Sequence, residues 1–152
     1  MNLTQRLAEL GHTLPALAAP AANYVHYSQG AELLVISGQI GTPGAAAAGA
    51  VGAGLSTEAA RVEAERAALA LLAALNAAVG GDASRIRQVL RLGVFVAAGP
   101  TFEDHGVVAN GASDLVVAAL GERGRHARAA IGVASLPRQA AVEVDALIWL
   151  QA

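Results

Sequence analysis

The chain of 152 residues contains neither cysteine nor lysine. Without cysteine there can be no disulfide, no thiolate nucleophile and no thiolate-ligated metal. That absence also fits a reducing compartment. All ten basic side chains are arginine, which excludes Schiff-base chemistry on a side-chain amine, covalent attachment of pyridoxal phosphate and a P-loop lysine. Aromatic residues make up only 3%, so the core must be built from Val, Leu, Ile and Ala. A net charge of −2 gives no general attraction for a phosphate backbone. Arg85, Arg87, Arg91, Arg123 and Arg125 could touch phosphate, but no aromatic platform interleaves them for stacking bases. No run of residues spans a bilayer, since Gly11, Pro15 and Pro20 interrupt Leu10, Leu14 and Leu17. The start of the chain lacks the order of a secretory signal. The expectation is a soluble, cytoplasmic protein. His12, His26, His105 and His126 show no metal-ligand spacing, so neither metal nor cofactor is expected.

Residues Asn2 to Glu9 read as a short helix with Leu3, Leu7 and Leu10 on one side, followed by an extended Pro15 to Pro20 lead-in. Residues 1–20 are taken as an N-terminal extension and 21–152 as the main domain. Tyr24 to Ser28 and Leu33 to Ile40 read as a hairpin. An alanine- and glycine-rich stretch over 41–54 follows, with no side chain able to do chemistry and with its order left open by the composition. Ser56 or Thr57 caps a helix that reaches Val79, with an apolar stripe of Val62, Leu69, Leu72, Leu75 and Val79. Gly80-Gly81 ends it. A strand over Ile86 to Val96 buries Leu90, Leu92, Val94 and Val96. Glu103 to Leu120 forms a second helix, weakened by Gly106 and Gly111. Two more strands close the chain. The order β-β-α-β-α-β-β predicts a single α+β domain, a sheet with two helices on one face. The other face has no cover from this chain, so self-association is expected.

The last quarter carries the chemistry. Arg128 lies on one strand with Ala130 and Gly132 on its face, which leaves room beside a guanidinium. A planar fork of donors next to open space suits a carboxylate or phosphate. After a Leu136-Pro137 turn, Val142, Val144, Ala146, Ile148 and Leu150 face one way and Glu143, Asp145 and Trp149 the other. Such an arginine and glutamate on neighbouring strands equally describe a cross-strand ion pair on a solvated face. A Ser-His-Asp set of Ser37, His126 and Asp145 can be drawn on paper, but no nucleophile elbow supports it.

The segment from Arg128 through Leu136-Pro137 to Val142-Glu143-Val144 resembles the signature of the RidA/YjgF family, also called the endoribonuclease L-PSP family. Tyr24 ahead of Ser37-Gly38-Gln39 is similar to that family's tyrosine and Ser-Gly-Gln. The resemblance implies a chorismate-mutase-like fold, a homotrimer and pockets between subunits. It further implies hydrolysis of reactive enamines and imines, turning 2-imino acids into 2-oxo acids and ammonia. Arg128 would then grip the substrate carboxylate and Glu143 would orient or activate water. Tyr24, Ser37, Gly38 and Asn110 would line the pocket, Tyr27 being the alternative to Tyr24. Ala130 departs from the pattern, since the deaminase branch commonly has cysteine there. A carboxylate-binding module without hydrolysis is therefore the alternative reading. RNA cleavage, implied by the family's older name, is the third.

Overall fold

A computed structural model describes residues 2–152. In chain order the elements are α1 (Leu3–Glu9), β1 (Tyr27–Gly30), β2 (Leu33–Ile40), α2 (Thr57–Ala78), β3 (Ile86–Ala97), α3 (His105–Leu120), β4 (Ala127–Val133) and β5 (Val142–Leu150). The strands form one sheet in the order β1-β2-β5-β3-β4. All pairings are antiparallel except β3 with β4, which are joined through α3 and run parallel. A parallel pair needs such a crossover, and the crossover moves β4 to the sheet edge. Arg128 and Glu143 are thus not on neighbouring strands: β3 lies between β4 and β5.

Helices α2 and α3 pack on each other and on one face of the sheet. The expected alternation of β5 holds, with Val142, Val144, Ala146, Ile148 and Leu150 buried beneath the helices. Ser56 caps α2, its Oγ accepting from the Ala59 amide at 3.1 Å. Gly80 and Gly81 end the helix at positive φ, where a Cβ would be strained. The stripe of α2 differs from the sequence reading. Ala60, Ala64, Ala67, Ala68, Leu71, Leu72 and Leu75 are buried, whereas Val62 is 47% exposed. Alanine does not mark a face by size, and here it is what lets the helix approach its neighbours closely. On β3 the expected Leu90 is only partly buried and Val89 takes the core position. The register shifts between Val89 and Arg91, so an irregularity interrupts the two-residue alternation.

Gly111, which costs α3 helix propensity, is required by packing. A Cβ there would collide with the Arg61 carbonyl of α2. Backbone cannot yield as a flexible side chain can, so Gly111→Ala is expected to destabilise the fold by about 2–3 kcal/mol. Urea unfolding measures this. An unchanged midpoint would mean that the two helices can separate freely.

Helix α1 is not a loose appendage. Its Leu3 and Leu7 are fully buried in the same hydrophobic core, Asn2 caps its amides, and the Arg6 Nε donates to the Ala118 carbonyl of α3 at 3.2 Å. The alanine-glycine stretch, whose order the sequence left open, is also tied down. Val51 is fully buried, its amide donates to the Ala97 carbonyl at 2.8 Å, and its carbonyl accepts from Gly99 at 2.9 Å. At the base of this loop, the nearly buried Glu63 accepts from the Thr42 amide at 2.6 Å and pairs with Arg66.

Among the described residues, nothing covers the second sheet face. Leu33, Val35 and Ile131 are 46%, 53% and 50% exposed, and they share that face with Phe95, Glu143, Asp145, Leu147 and Trp149 by strand register. Among the described residues, no helix is long and apolar enough to cross a membrane.

Candidate active site

Arg128 begins near the start of the edge strand β4 and leans toward α3. Its Nη1 donates to Asn110 Oδ1 at 2.9 Å and to Ser113 Oγ at 3.0 Å; its Nη2 donates to the Gly106 carbonyl at 3.4 Å. Positions 106, 110 and 113 recur every three to four residues, so they form one stripe on a helix. That spacing explains how a single guanidinium meets all three. Every acceptor is neutral. No carboxylate pairs with Arg128 among the described residues, so its charge is uncompensated. The three bonds occupy both Nη1 hydrogens and one on Nη2, leaving Nε–H and the second Nη2 hydrogen. An Nε–H and an Nη2 hydrogen are the donors with which an arginine binds a carboxylate side-on through two parallel hydrogen bonds.

The room beside this group is not where the strand pattern placed it. Over Gly132 the space holds the His105 imidazole, since a Cβ on Gly132 would lie 2.6 Å from its Nε2. The Ala130 methyl packs against the core. Arg128 instead borders a cleft of about 240 Å³ lined by Ser113, Val117, Arg125 and His126. A larger cleft of about 710 Å³ runs past Phe102, His105 and Gly132. His105 is the only titratable group in its lining, whereas the smaller cleft is lined by Arg125, His126 and Arg128.

Glu143 is elsewhere. Its strand neighbours Val142 and Val144 point under the helices, so its carboxylate points to the uncovered face. Gly38 of β2 lies directly beneath that carboxylate; any Cβ there would collide with Oε1. No hydrogen bond or ion pair holds the Glu143 carboxylate among the described residues. Burial, and next the neighbouring Asp145 charge, push its carboxyl above the usual value for glutamate. Both effects disfavour the charged form.

The remaining predicted residues belong to this second group. Ser37 donates through Oγ to the Val25 carbonyl at 2.7 Å, and its amide donates to the His26 carbonyl at 2.9 Å. These bonds hold the Tyr24 segment beside Ser37-Gly38. Tyr24 itself is 48% exposed and precedes β1, which starts at Tyr27 instead of Tyr24. Tyr27 packs against the core, so Tyr24 is the more exposed of the two tyrosines.

Within one chain the structure therefore brings Arg128 together with Asn110, and Glu143 with Gly38, but it does not join the pairs. They lie on opposite faces of the sheet. The paper triad is also dispersed. Ser37 bonds to Val25, His126 to Ser113 at 2.9 Å, and Asp145 to Arg91 at 3.4 Å. Ser113 was missed by sequence reasoning. The signal for it was present, because a hydroxyl three residues after Asn110 shares its helix face. No group of metal-ligating side chains occurs among the described residues.

A sheet with two helices on one face, an edge-strand arginine held by a helix and an uncovered second face define a YjgF-like protein. The chain belongs to the YjgF/chorismate mutase-like endoribonuclease family, whose profile matches residues 4–149. It is 46% identical to Protein TCP17 of Trypanosoma cruzi over 152 residues, covering 98% of this chain and 94% of that one. The crystal structure of protein Atu1372, of unknown function, from Agrobacterium tumefaciens is 45% identical, covers 99% of this chain and 94% of its own, and superposes with a TM-score of 0.88. RidA from an Antarctic Psychrobacter is 25% identical, with coverage of 86% and 91% and a TM-score of 0.55.

Proposed function

We propose that the protein hydrolyses reactive enamines and imines, converting 2-imino acids to 2-oxo acids and ammonia, in pockets completed between subunits of a homotrimer in the cytoplasm. The observation that carries this reading is Arg128: an uncompensated guanidinium, held by neutral acceptors, with a carboxylate-sized edge free. The substrate carboxylate binds that edge, which fixes the imine carbon. Glu143 of an adjacent subunit accepts a proton from water, which attacks that carbon. Glu143 returns that proton to the nitrogen of the resulting carbinolamine, and ammonia leaves as the carboxylate takes the hydroxyl proton, giving the 2-oxo acid. A protonated imine is already electrophilic, so no metal or covalent intermediate is required. The apolar side chains Leu33, Val35 and Ile131 on the uncovered face supply surface for the association.

The test is to generate 2-imino acids in situ with an amino-acid oxidase and follow their disappearance with and without the protein. Faster loss is expected. A folded, oligomeric protein that accelerates none of several side chains would sink the proposal. One feature then favours the carboxylate-binding module: Ala130, which puts a methyl where the deaminase branch commonly has a thiol. RNA cleavage draws less support, because four of the five candidate arginines already have partners within the chain. Arg87 stacks over Trp149, Arg91 pairs with Asp145, Arg123 donates to two carbonyls and Arg125 pairs with Glu122.

The elevated Glu143 carboxyl sets a pH prediction. The base form is the active one, so kcat/KM rises as pH climbs through a value above that of an ordinary glutamate (about 4.3). Asp145→Asn removes the like charge and releases Arg91, and both changes favour the glutamate anion. The acid limb of the pH–rate profile is therefore expected to move to lower pH with little change in its plateau. An unmoved limb would assign it to another group.

A further inference from the structure

Arg128 reaches Ser113, and Ser113 in turn reaches a histidine that makes no hydrogen bond to the arginine. His126 Nδ1 lies 2.6 Å from the Gly124 carbonyl, and its Nε2 lies 2.9 Å from Ser113 Oγ. A carbonyl can only accept, so Nδ1 carries the hydrogen. In the neutral ring Nε2 is then an acceptor. The Ser113 hydroxyl must therefore donate to His126, which turns its lone pairs toward Arg128 Nη1 at 3.0 Å. One backbone carbonyl thus fixes every direction in the chain Gly124–His126–Ser113–Arg128. Asn110 holds the other Nη1 hydrogen. With both Nη1 hydrogens committed, the guanidinium plane cannot turn without breaking a bond, and its Nε–Nη2 edge stays presented.

We propose that Ser113 and His126 are positioning residues that hold the Arg128 guanidinium in the orientation that receives a carboxylate, with His126 acting only through the serine hydroxyl. The proposal rests on the reading of Arg128 as the carboxylate-binding group. A merely structural tie between β4 and α3 would need no defined hydroxyl direction; the relay does.

Binding of 2-oxobutanoate, followed by calorimetry, tests it without depending on turnover. Ser113→Ala and His126→Phe are each expected to weaken binding about tenfold, the size of one oriented bond to a charged group. The double variant should be no weaker than either single one, because both cut the same chain. Ser113→Thr should retain most of the affinity, and where turnover is measurable the loss should appear in KM more than in kcat. If the wild-type protein binds and Arg128→Ala does not, while both relay variants bind normally, the relay fails and the arginine reading stands. If the wild type does not bind the acid at all, both fail. Nitrogen NMR of His126 in the wild type, in mildly alkaline buffer, needs no variant to fold. The Nδ1–H tautomer is expected, and an Nε2–H tautomer overturns the relay.

Discussion

Replacing Arg128 with alanine is expected to lower kcat/KM for 2-imino acids by about a hundredfold or more, the loss of a paired, charge-assisted contact. Binding of 2-oxobutanoate should fall in parallel, since in the proposed site the same edge holds substrate and product. The fold should not suffer. Arg128 is exposed, its acceptors are on a helix surface, and their freed positions open to water. Arg128→Lys should recover little. An ammonium is a point charge without the planar fork, and it cannot satisfy Asn110, Ser113 and Gly106 while also presenting two parallel donors. A lysine variant with near-normal kcat/KM would show that charge alone matters and that the orientation described above has no role. Asn110→Ala removes one of the three supports and should cost less, on the order of tenfold. The expected ranking of the variants is thus Arg128→Ala most severe, Arg128→Lys close to it and Asn110→Ala mildest.

Much of this arrangement was legible in the sequence where contrast was high. The alternation Val142 to Leu150 assigned every β5 side chain to its face, and Ser56 with Gly80-Gly81 bounded α2 to within a residue. Legibility failed where alanine carries the packing. The buried stripe of α2 is mostly alanine, so the larger but exposed Val62 drew the helix face the wrong way. It failed again where long-range topology decides. A Leu-Pro turn between two strands suggests adjacency, yet the parallel crossover through α3 puts β3 between them. No local pattern contains that fact. The loop over 41–54 has no side chain larger than valine. Its order comes from backbone hydrogen bonds to Ala97, Arg138 and Gln139, which composition cannot announce. Arg128, Asn110, Glu143 and Gly38 could each be named from sequence, but only the fold says which pairs can meet.

The sheet between the two pairs leads to a second large effect. Leu92, the β3 partner of Arg128, is fully buried under the helices, and Arg128 itself bonds to α3 on that side. Glu143 opens on the far side with Gly38. Five strands of backbone cannot be crossed by a water or an imine. A pocket that needs both groups must take them from two chains, and a ring of identical subunits supplies that arrangement at each junction. An Arg128→Ala protein and a Glu143→Gln protein should each be nearly inactive alone. Mixed by refolding or co-expression, they should regain activity. In the proposed trimer every mixed assembly would have one junction where an intact Arg128 meets an intact Glu143, so random assembly should restore about a quarter of the pockets. The recovery, from almost nothing to about a quarter of wild-type turnover, is read with the same oxidase-coupled assay on hetero-oligomers verified by mass. Confirmed hetero-oligomers without recovery would mean that Arg128 and Glu143 do not serve one pocket. The charge-bearing cleft beside α3 would then be a binding site in its own right, and the second face of the sheet only a contact surface.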